Sequence, residues 1–184
     1  MFERITPIYI IRAHLDTIRN KDTKKLYKDD VFLLFCLPIL IGFFFVGINL
    51  LIEEKMASNL LTILSISVPL LFSLLVLIYD MGQNIQSKEH LLDKEAKLSV
   101  TNSTSDNVSF MVFWSIIIVI VLGVYLLIGY TFDIFAKENF HNFQLLIQIF
   151  SLIIYWLLGV FILTLLMVLK RTQILISSSF PPNT

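Results

Sequence analysis

Four long runs without a charged residue constrain the fold of this chain more than any other feature of its sequence. They cover residues 31–52, 57–79, 109–132 and 145–169, and each is 22 to 25 residues long. At 1.5 Å of rise per residue, the shortest run would form a helix about 33 Å long, which matches the ~30 Å hydrocarbon core of a bilayer. Because backbone polar groups find no water in lipid, such segments must be helical. The sequence therefore predicts an all-α integral membrane four-helix bundle with four transmembrane helices.

The composition excludes a soluble domain and gives no sign of a nucleic-acid partner. Hydrophobic residues make up 57% of the chain, and the mean hydropathy is +0.82. Soluble domains have an apolar share of roughly 45 to 50%. The formal net charge is zero, so no overall field attracts an acidic polymer. We expect contact with membrane lipids and no direct contact with nucleic acid.

The distribution of lysine and arginine predicts the orientation of the chain. Four spans place 12 of the 14 basic residues on one side of the membrane, in the segment before residue 31, in the loop 80–108 and after residue 169. The two other loops contain only Lys55 and Lys137. By the positive-inside rule, both termini and the loop 80–108 are predicted to be cytoplasmic.

The N-terminal arm, residues 7–19, is predicted to be an amphipathic helix that begins at Pro7. Four apolar residues share one face at helical spacing, and they are Ile8, Ile11, Leu15 and Ile18. Arg12, Asp16 and Arg19 point away from that face. Two placements remain open. The apolar face could lie at the inner membrane surface, or it could pack against the bundle or another subunit.

The cytoplasmic loop is predicted to be partly helical. The second span extends past residue 79 as a helix for several turns, and the segment TNSTSDNVS, residues 101–109, is expected to be a flexible polar linker.

Seven basic residues on this side of the membrane are our candidates for contact with lipid or with a partner protein, and they are Arg12, Arg19, Lys24, Lys25, Lys28, Lys88 and Lys94.

Two stripes of mild polarity run along the second and fourth spans. The second-span stripe consists of Asn59, Thr62, Ser65, Pro69 and Ser73, and the fourth-span stripe consists of Gln148, Ser151, Tyr155 and Gly159. Small and hydroxylated residues let membrane helices approach closely and bond across the contact. The stripes are therefore predicted to be helix packing surfaces, or the lining of a polar path when several chains assemble.

The spans contain no ionisable residue that could carry chemistry at depth. Asp80, Asp133 and Glu53 lie at span ends, and the three histidines are divided between the two sides of the membrane. Ionisable side chains inside a membrane usually mark a functional site. We expect no enzyme, no metal site and no cofactor.

Two stretches carry a resemblance to a group of known proteins. The first is LDTIRNKDTKKLYKDDVFLLFCLPILIG, residues 15–42, in which a basic segment and an acidic pair precede a span with a proline. The second is FILTLLMVLKRTQILI, residues 161–176, in which Lys170 and Arg171 close the last span. Both resemble small four-span membrane proteins of bacterial antiphage defence systems, such as the transmembrane effectors of retron and CBASS systems and the membrane subunit of Kiwa.

This resemblance implies an oligomeric protein of the bacterial inner membrane. Such a protein would perturb the membrane during infection or anchor a cytosolic partner protein. The alternative from a different class is a small transporter or channel subunit. The absence of a buried charge and of an internal repeat of spans counts against transport.

Overall fold

The computed structural model of the chain describes residues 7–17, 28–87, 94–135 and 140–179. These residues form five α-helices, which are α1 (Pro7–Thr17), α2 (Lys28–Gly47), α3 (Glu54–Ser87), α4 (Lys94–Phe135) and α5 (Phe140–Ser179). Within this described part, every regular element is an α-helix, which confirms the all-α prediction.

Among the described residues, three helices are long and apolar enough to cross a membrane by length and composition. They are Glu54–Ser87, Lys94–Tyr130 and Gln144–Gln173. Only 17 to 33% of the most apolar part of each helix is buried inside the chain. An apolar surface of this extent needs lipid or protein around it. The prediction of a membrane-embedded helical protein is supported at this level.

Helix α2 is shorter than the first predicted span. Its described apolar stretch is Phe32–Gly47, and the helix ends five residues before residue 52. The prediction of one continuous helix over 31–52 is therefore wrong at its C-terminal end, because the chain leaves the helix at Gly47.

A Schellman motif with Asn49 in the left-handed conformation ends helix α2. Asn49 has a φ of 58°. The Leu50 amide donates to the carbonyl of Phe45 at 2.9 Å, and the Asn49 amide donates to the carbonyl of Val46 at 3.0 Å. This 6→1 and 5→2 pair satisfies two of the last carbonyls of the helix. Asparagine tolerates the positive φ better than most residues with a side chain.

The chain divides into two compact units, and each is described by itself. Unit 1 contains Met1–Tyr27, Pro69–Phe113 and Leu163–Thr184, and unit 2 contains Lys28–Val68 and Trp114–Ile162. In unit 2, Trp114 and Trp156 meet edge to face, with ring centroids 5.8 Å apart. The Trp114 indole donates to the carbonyl of Leu157 at 3.0 Å, so α4 and α5 are joined there by aromatic packing and a hydrogen bond.

The segment 101–109 is helical, so the prediction of a flexible linker there is wrong. Thr101, Thr104 and Asn107 lie on one face of α4 and are at most 2% exposed. The hydroxyls of both threonines donate to the carbonyl four residues earlier. A Cβ added at Gly82 of α3 would lie 3.4 Å from the methyl group of Thr101, which shows how closely the two helices approach. Tertiary packing thus overrides the weak helix propensity of these polar residues.

Helix α1 packs within unit 1, but its buried face differs from the predicted one. His14 is fully buried, whereas Ile8 is 71% exposed. Ile11 and Leu15 are half-buried, and Arg12 and Asp16 are exposed as expected. Ile18 and Arg19 lie outside the described residues. Of the two placements left open by the sequence, the contacts of α1 within unit 1 favour packing against the other helices.

Candidate functional site

A buried histidine forms the centre of a polar cluster in unit 1. The His14 ring of α1 stacks on the ring of Phe110 in α4, with centroids 3.9 Å apart and an interplanar angle of 5°. Its Nδ1 donates to the side-chain oxygen of Asn107 at 2.9 Å. This contact leaves the lone pair on Nε2 in the neutral ring. Nε2 is buried and has no hydrogen-bond partner in the part of the chain that the structure describes.

Asn107 connects three helices through its side chain. The side-chain oxygen of Asn107 also lies 2.9 Å from the hydroxyl of Thr17. The same hydroxyl lies 2.7 Å from the carbonyl oxygen of His14, and its one proton can be donated to either acceptor. The amide nitrogen of Asn107 contacts the sulfur of Met167 in α5 at 3.5 Å. Buried polar groups are costly unless they are paired. Asn107 can therefore be buried in α4 because α1 and α5 supply its partners.

Arg171 of α5 holds the C-terminal end of α1. Its guanidinium donates to the carbonyl of Thr17 at 3.0 Å and to the carbonyl of Ser103 in α4 at 3.1 Å. The last carbonyls of a helix have no intrahelical partner, and a cation near them is also favoured by the helix dipole. Asp106 lies close enough to Arg171 for the two charges to attract. Arg171 therefore links the end of α1 to α4 and α5.

The environment of His14 keeps its ring neutral. Burial is the largest cause that lowers its pKa from 6.5 to about 4, and the positive charge of Arg171 lowers it further, whereas the hydrogen bond with Asn107 opposes the shift. Protonation would place a new N–H donor at Nε2, where the described residues offer no acceptor. Protonation of His14 would therefore weaken the packing of α1 in this cluster.

A cavity of about 300 Å³ lies beside this cluster, between α1 and α4. Its lining contains one guanidinium, two carboxylates, three hydroxyls and a methyl group, from Tyr9, Arg12, Ala13, Asp16, Thr17, Ser103 and Asp106. Charges of both signs beside hydroxyl groups can hold a small polar ligand. Among the described residues, no group of three or more His, Cys, Asp or Glu side chains could hold a metal ion.

Two of the predicted lipid- or partner-binding residues have described side chains. Arg12 lines the cavity. Lys94, at the start of α4, donates to the carbonyl of Gln86 near the end of α3 at 2.7 Å. Arg19, Lys24, Lys25 and Lys88 lie outside the described residues, and so does the side chain of Lys28. The structure therefore brings Arg12 into a site and gives Lys94 a contact between two helix ends.

The second-span stripe faces outward from the chain. Asn59, Thr62, Ser65, Pro69 and Ser73 are all exposed on α3. The three hydroxyls donate to carbonyls four residues earlier in the same helix, at 2.8 to 3.1 Å. Within the part of the chain that the structure describes, the stripe is thus not a packing surface.

The fourth-span stripe contacts α2 and the segment that follows it in unit 2. The Ser151 hydroxyl accepts a hydrogen bond from the Ile52 amide at 3.0 Å, and the Tyr155 hydroxyl donates to the carbonyl of Leu50 at 3.2 Å. Tyr125 of α4, which the sequence did not single out, donates to the carbonyl of Ile52. Gln148 is half-buried. These hydroxyls satisfy backbone groups that the non-helical segment 48–53 cannot pair by itself.

Gly159 lets α5 approach Pro38 of α2 closely. A Cβ at position 159 would lie 2.5 Å from the Cβ of Pro38, which is closer than real Cβ atoms come to such a neighbour. A Cβ at Gly123 of α4 would meet nothing within 4 Å.

We expect Gly159→Ala to destabilise the protein by about 1 to 2 kcal/mol, because overpacking outweighs the gain in helix propensity. Gly123→Ala is the matched control and should be neutral or stabilising by up to about 1 kcal/mol. The measurement is thermal unfolding of both variants in detergent, and equal effects at the two positions would contradict the close contact.

Sequence reasoning missed the roles of His14, Asn107, Arg171 and Tyr125. A signal for His14 was present, because it follows Ile11 by three residues and therefore lies next to the predicted apolar face of α1. Asn107 follows Thr104 and Thr101 at spacings of three, which is compatible with one helix face. For Arg171 the sequence shows only a basic residue after a span, which is common in membrane proteins.

Comparisons of this chain with protein-family models, with curated proteins and with solved structures find no match.

Proposed function

We propose that this chain is an oligomeric inner-membrane protein of a bacterial antiphage defence system. It would act through a change in helix packing that perturbs the membrane, or by anchoring a cytosolic partner protein. Support comes from the three long apolar helices and from the resemblance of residues 15–42 and 161–176 to such membrane proteins. The proposal also takes α2 as a fourth span: its apolar stretch Phe32–Gly47 is about 24 Å long at 1.5 Å per residue, and a bilayer thins locally around a short span at modest cost.

The observation that carries the oligomer is the exposed stripe of α3. Hydroxyl and amide side chains that face lipid form no favourable polar contacts there. Against another protein surface, the same side chains allow close approach of the helices and hydrogen bonding between them. The partner we propose is a second copy of this chain. The stripe has no charged side chain, so two identical stripes can meet without repulsion.

Disulfide cross-linking tests this interface. The native Cys36 is first replaced by serine, and Ser65→Cys is then expected to give a covalent dimer in membranes under mild oxidation. Ile63→Cys is the control, because Ile63 is 59% exposed on the same helix but lies outside the stripe. Equal cross-linking at the two positions, or none at residue 65, would reject the α3 interface.

Function is tested by the response of cells and of liposomes. Induced expression together with its neighbouring genes is expected to depolarise the membrane upon phage infection. The Ser65→Leu variant should weaken the response, because a larger side chain blocks close approach. Steady solute flux through liposomes containing the chain alone would instead favour the small transporter or channel subunit.

A further inference from the structure

The described residues in and around the cavity beside α1 carry charges of both signs. Arg12 contributes one positive charge to its lining, and Asp16 and Asp106 contribute two carboxylates. The guanidinium of Arg171 lies near Asp106 and interacts with it electrostatically. Among the described residues, the cavity and its immediate surroundings therefore contain two cations and two anions. Such a cavity favours a net-neutral ligand that carries both signs over a purely anionic or cationic one.

The position of the cavity along α4 is that of a membrane interface. The uncharged run of α4 begins at residue 109, only three residues after Asp106, which corresponds to about 5 Å along the helix. On α1, Ile8 is 71% and Tyr9 is 57% exposed, and Tyr9 also lines the cavity. Exposed tyrosine and aliphatic side chains are typical anchors at the level of lipid headgroups.

We propose that this cavity binds a phosphoethanolamine group. Its primary ammonium would face Asp16 and Asp106, and its phosphate would face Arg12. A primary ammonium has three N–H donors for carboxylate oxygens, whereas a choline group has none. Choline is recognised by cages of several aromatic rings, and Tyr9 is the one aromatic residue in the described lining. The proposal depends on membrane insertion of α4, which belongs to the proposed function, and it is independent of self-association.

Native mass spectrometry of the full chain tests the selectivity. The protein is exchanged into micelles with equal amounts of phosphatidylethanolamine and phosphatidylcholine that have the same acyl chains. We expect phosphatidylethanolamine to be retained at least fivefold over phosphatidylcholine, and the mono- and dimethylated headgroups to fall in between. Equal retention of the two lipids would overturn the proposal without any variant.

Charge-removing variants locate the binding. Asp106→Asn should bring the retention ratio close to one, and Arg12→Gln should weaken retention of both lipids. Asp80→Asn is the matched control, since Asp80 is exposed on α3 and does not line the cavity. Circular dichroism checks that each variant is folded. If Asp106→Asn is not folded, the exposed Arg12 supplies the deciding variant, and unchanged retention there would overturn the assignment.

Soluble phosphoethanolamine distinguishes a lipid from a free metabolite as the source of the group. If phosphoethanolamine at millimolar concentration binds the lipid-free protein, and Asp106→Asn loses this binding, the ligand is a free metabolite. Selective lipid retention without such binding identifies the headgroup, and either result supports the proposed chemistry. Cross-linking at residue 65 in the same samples reports on self-association, so failure of one proposal is not confused with failure of the other.

Discussion

Replacing Arg171 with alanine is expected to release helix α1 from the rest of unit 1. The substitution removes two hydrogen bonds from a charged donor, one to the last turn of α1 and one to α4. Each bond of this kind contributes about 1.5 to 3 kcal/mol. Only the bond to Thr17 joins α5 to α1, so we expect a loss of about 1.5 to 3 kcal/mol in the docking free energy of α1, which corresponds to an increase of roughly ten- to a hundredfold in its open population.

Hydrogen exchange of α1 amides in nanodiscs measures this release. Exchange over Pro7–Thr17 should accelerate in Arg171→Ala, while amides in unit 2 should keep their protection. Lys170→Ala is the matched control, because it also removes one positive charge, but from an exposed side chain next to Arg171. The amides of α1 should remain protected in this variant. Arg171→Lys should recover only part of the protection, because an ammonium does not reproduce the planar fork of the guanidinium. Protected α1 amides in Arg171→Ala would show that α1 is held by other contacts.

Acidification is expected to release α1 by a second route, through protonation of His14. The pKa of His14 is about 4 in the docked state and 6.5 in its unperturbed state, so the released helix binds more protons. Docking therefore keeps its full stability above pH 6.5 and weakens as the pH falls from 6.5 towards 4. The difference of about 2.5 pH units corresponds to about 3 kcal/mol.

The measurement is exchange of the same amides between pH 7.5 and 4, corrected for the pH dependence of intrinsic exchange. His14→Gln supplies the control, because glutamine offers an N–H to Asn107 but does not titrate. Asp16 and Asp106 remain in that variant, so any acid response that it retains belongs to the carboxylates. An identical pH profile in both proteins would exclude His14 as the cause.

The sequence predicts the helical membrane architecture because long uncharged runs have only one stable backbone conformation in lipid. The same argument cannot find the end of α2. Leu50, Leu51 and Ile52 are as apolar as the helix before them, and the helix ends where Asn49 adopts a positive φ. The helical state of 101–109 was hidden for the opposite reason. Its polar residues favour a loop locally, and they are helical because α1, α3 and α5 provide partners.

The candidate site could be predicted only in part. Arg12 and the stripe of α5 were among the predicted residues, since basic side chains near a span and small residues within it follow general rules. The cluster of His14, Asn107 and Arg171 is built from contacts between distant parts of the sequence. His14 and Asn107 are separated by 93 positions, and Thr17 and Arg171 are separated by 154 positions. No local pattern encodes such pairs, and a single sequence contains no covariation to reveal them.

The segment 48–53 has a consequence for biosynthesis. The backbone groups of this segment are bonded by the hydroxyls of Tyr125, Ser151 and Tyr155. These residues come 73, 99 and 105 positions later in the chain than the backbone groups that they bond. At about 5 to 20 residues per second, a ribosome needs roughly 5 to 20 s to reach the last of them. Until then the turn after α2 must keep water or the translocon as its partner. The segment 48–53 therefore completes its hydrogen bonding only after the last helix has been synthesised.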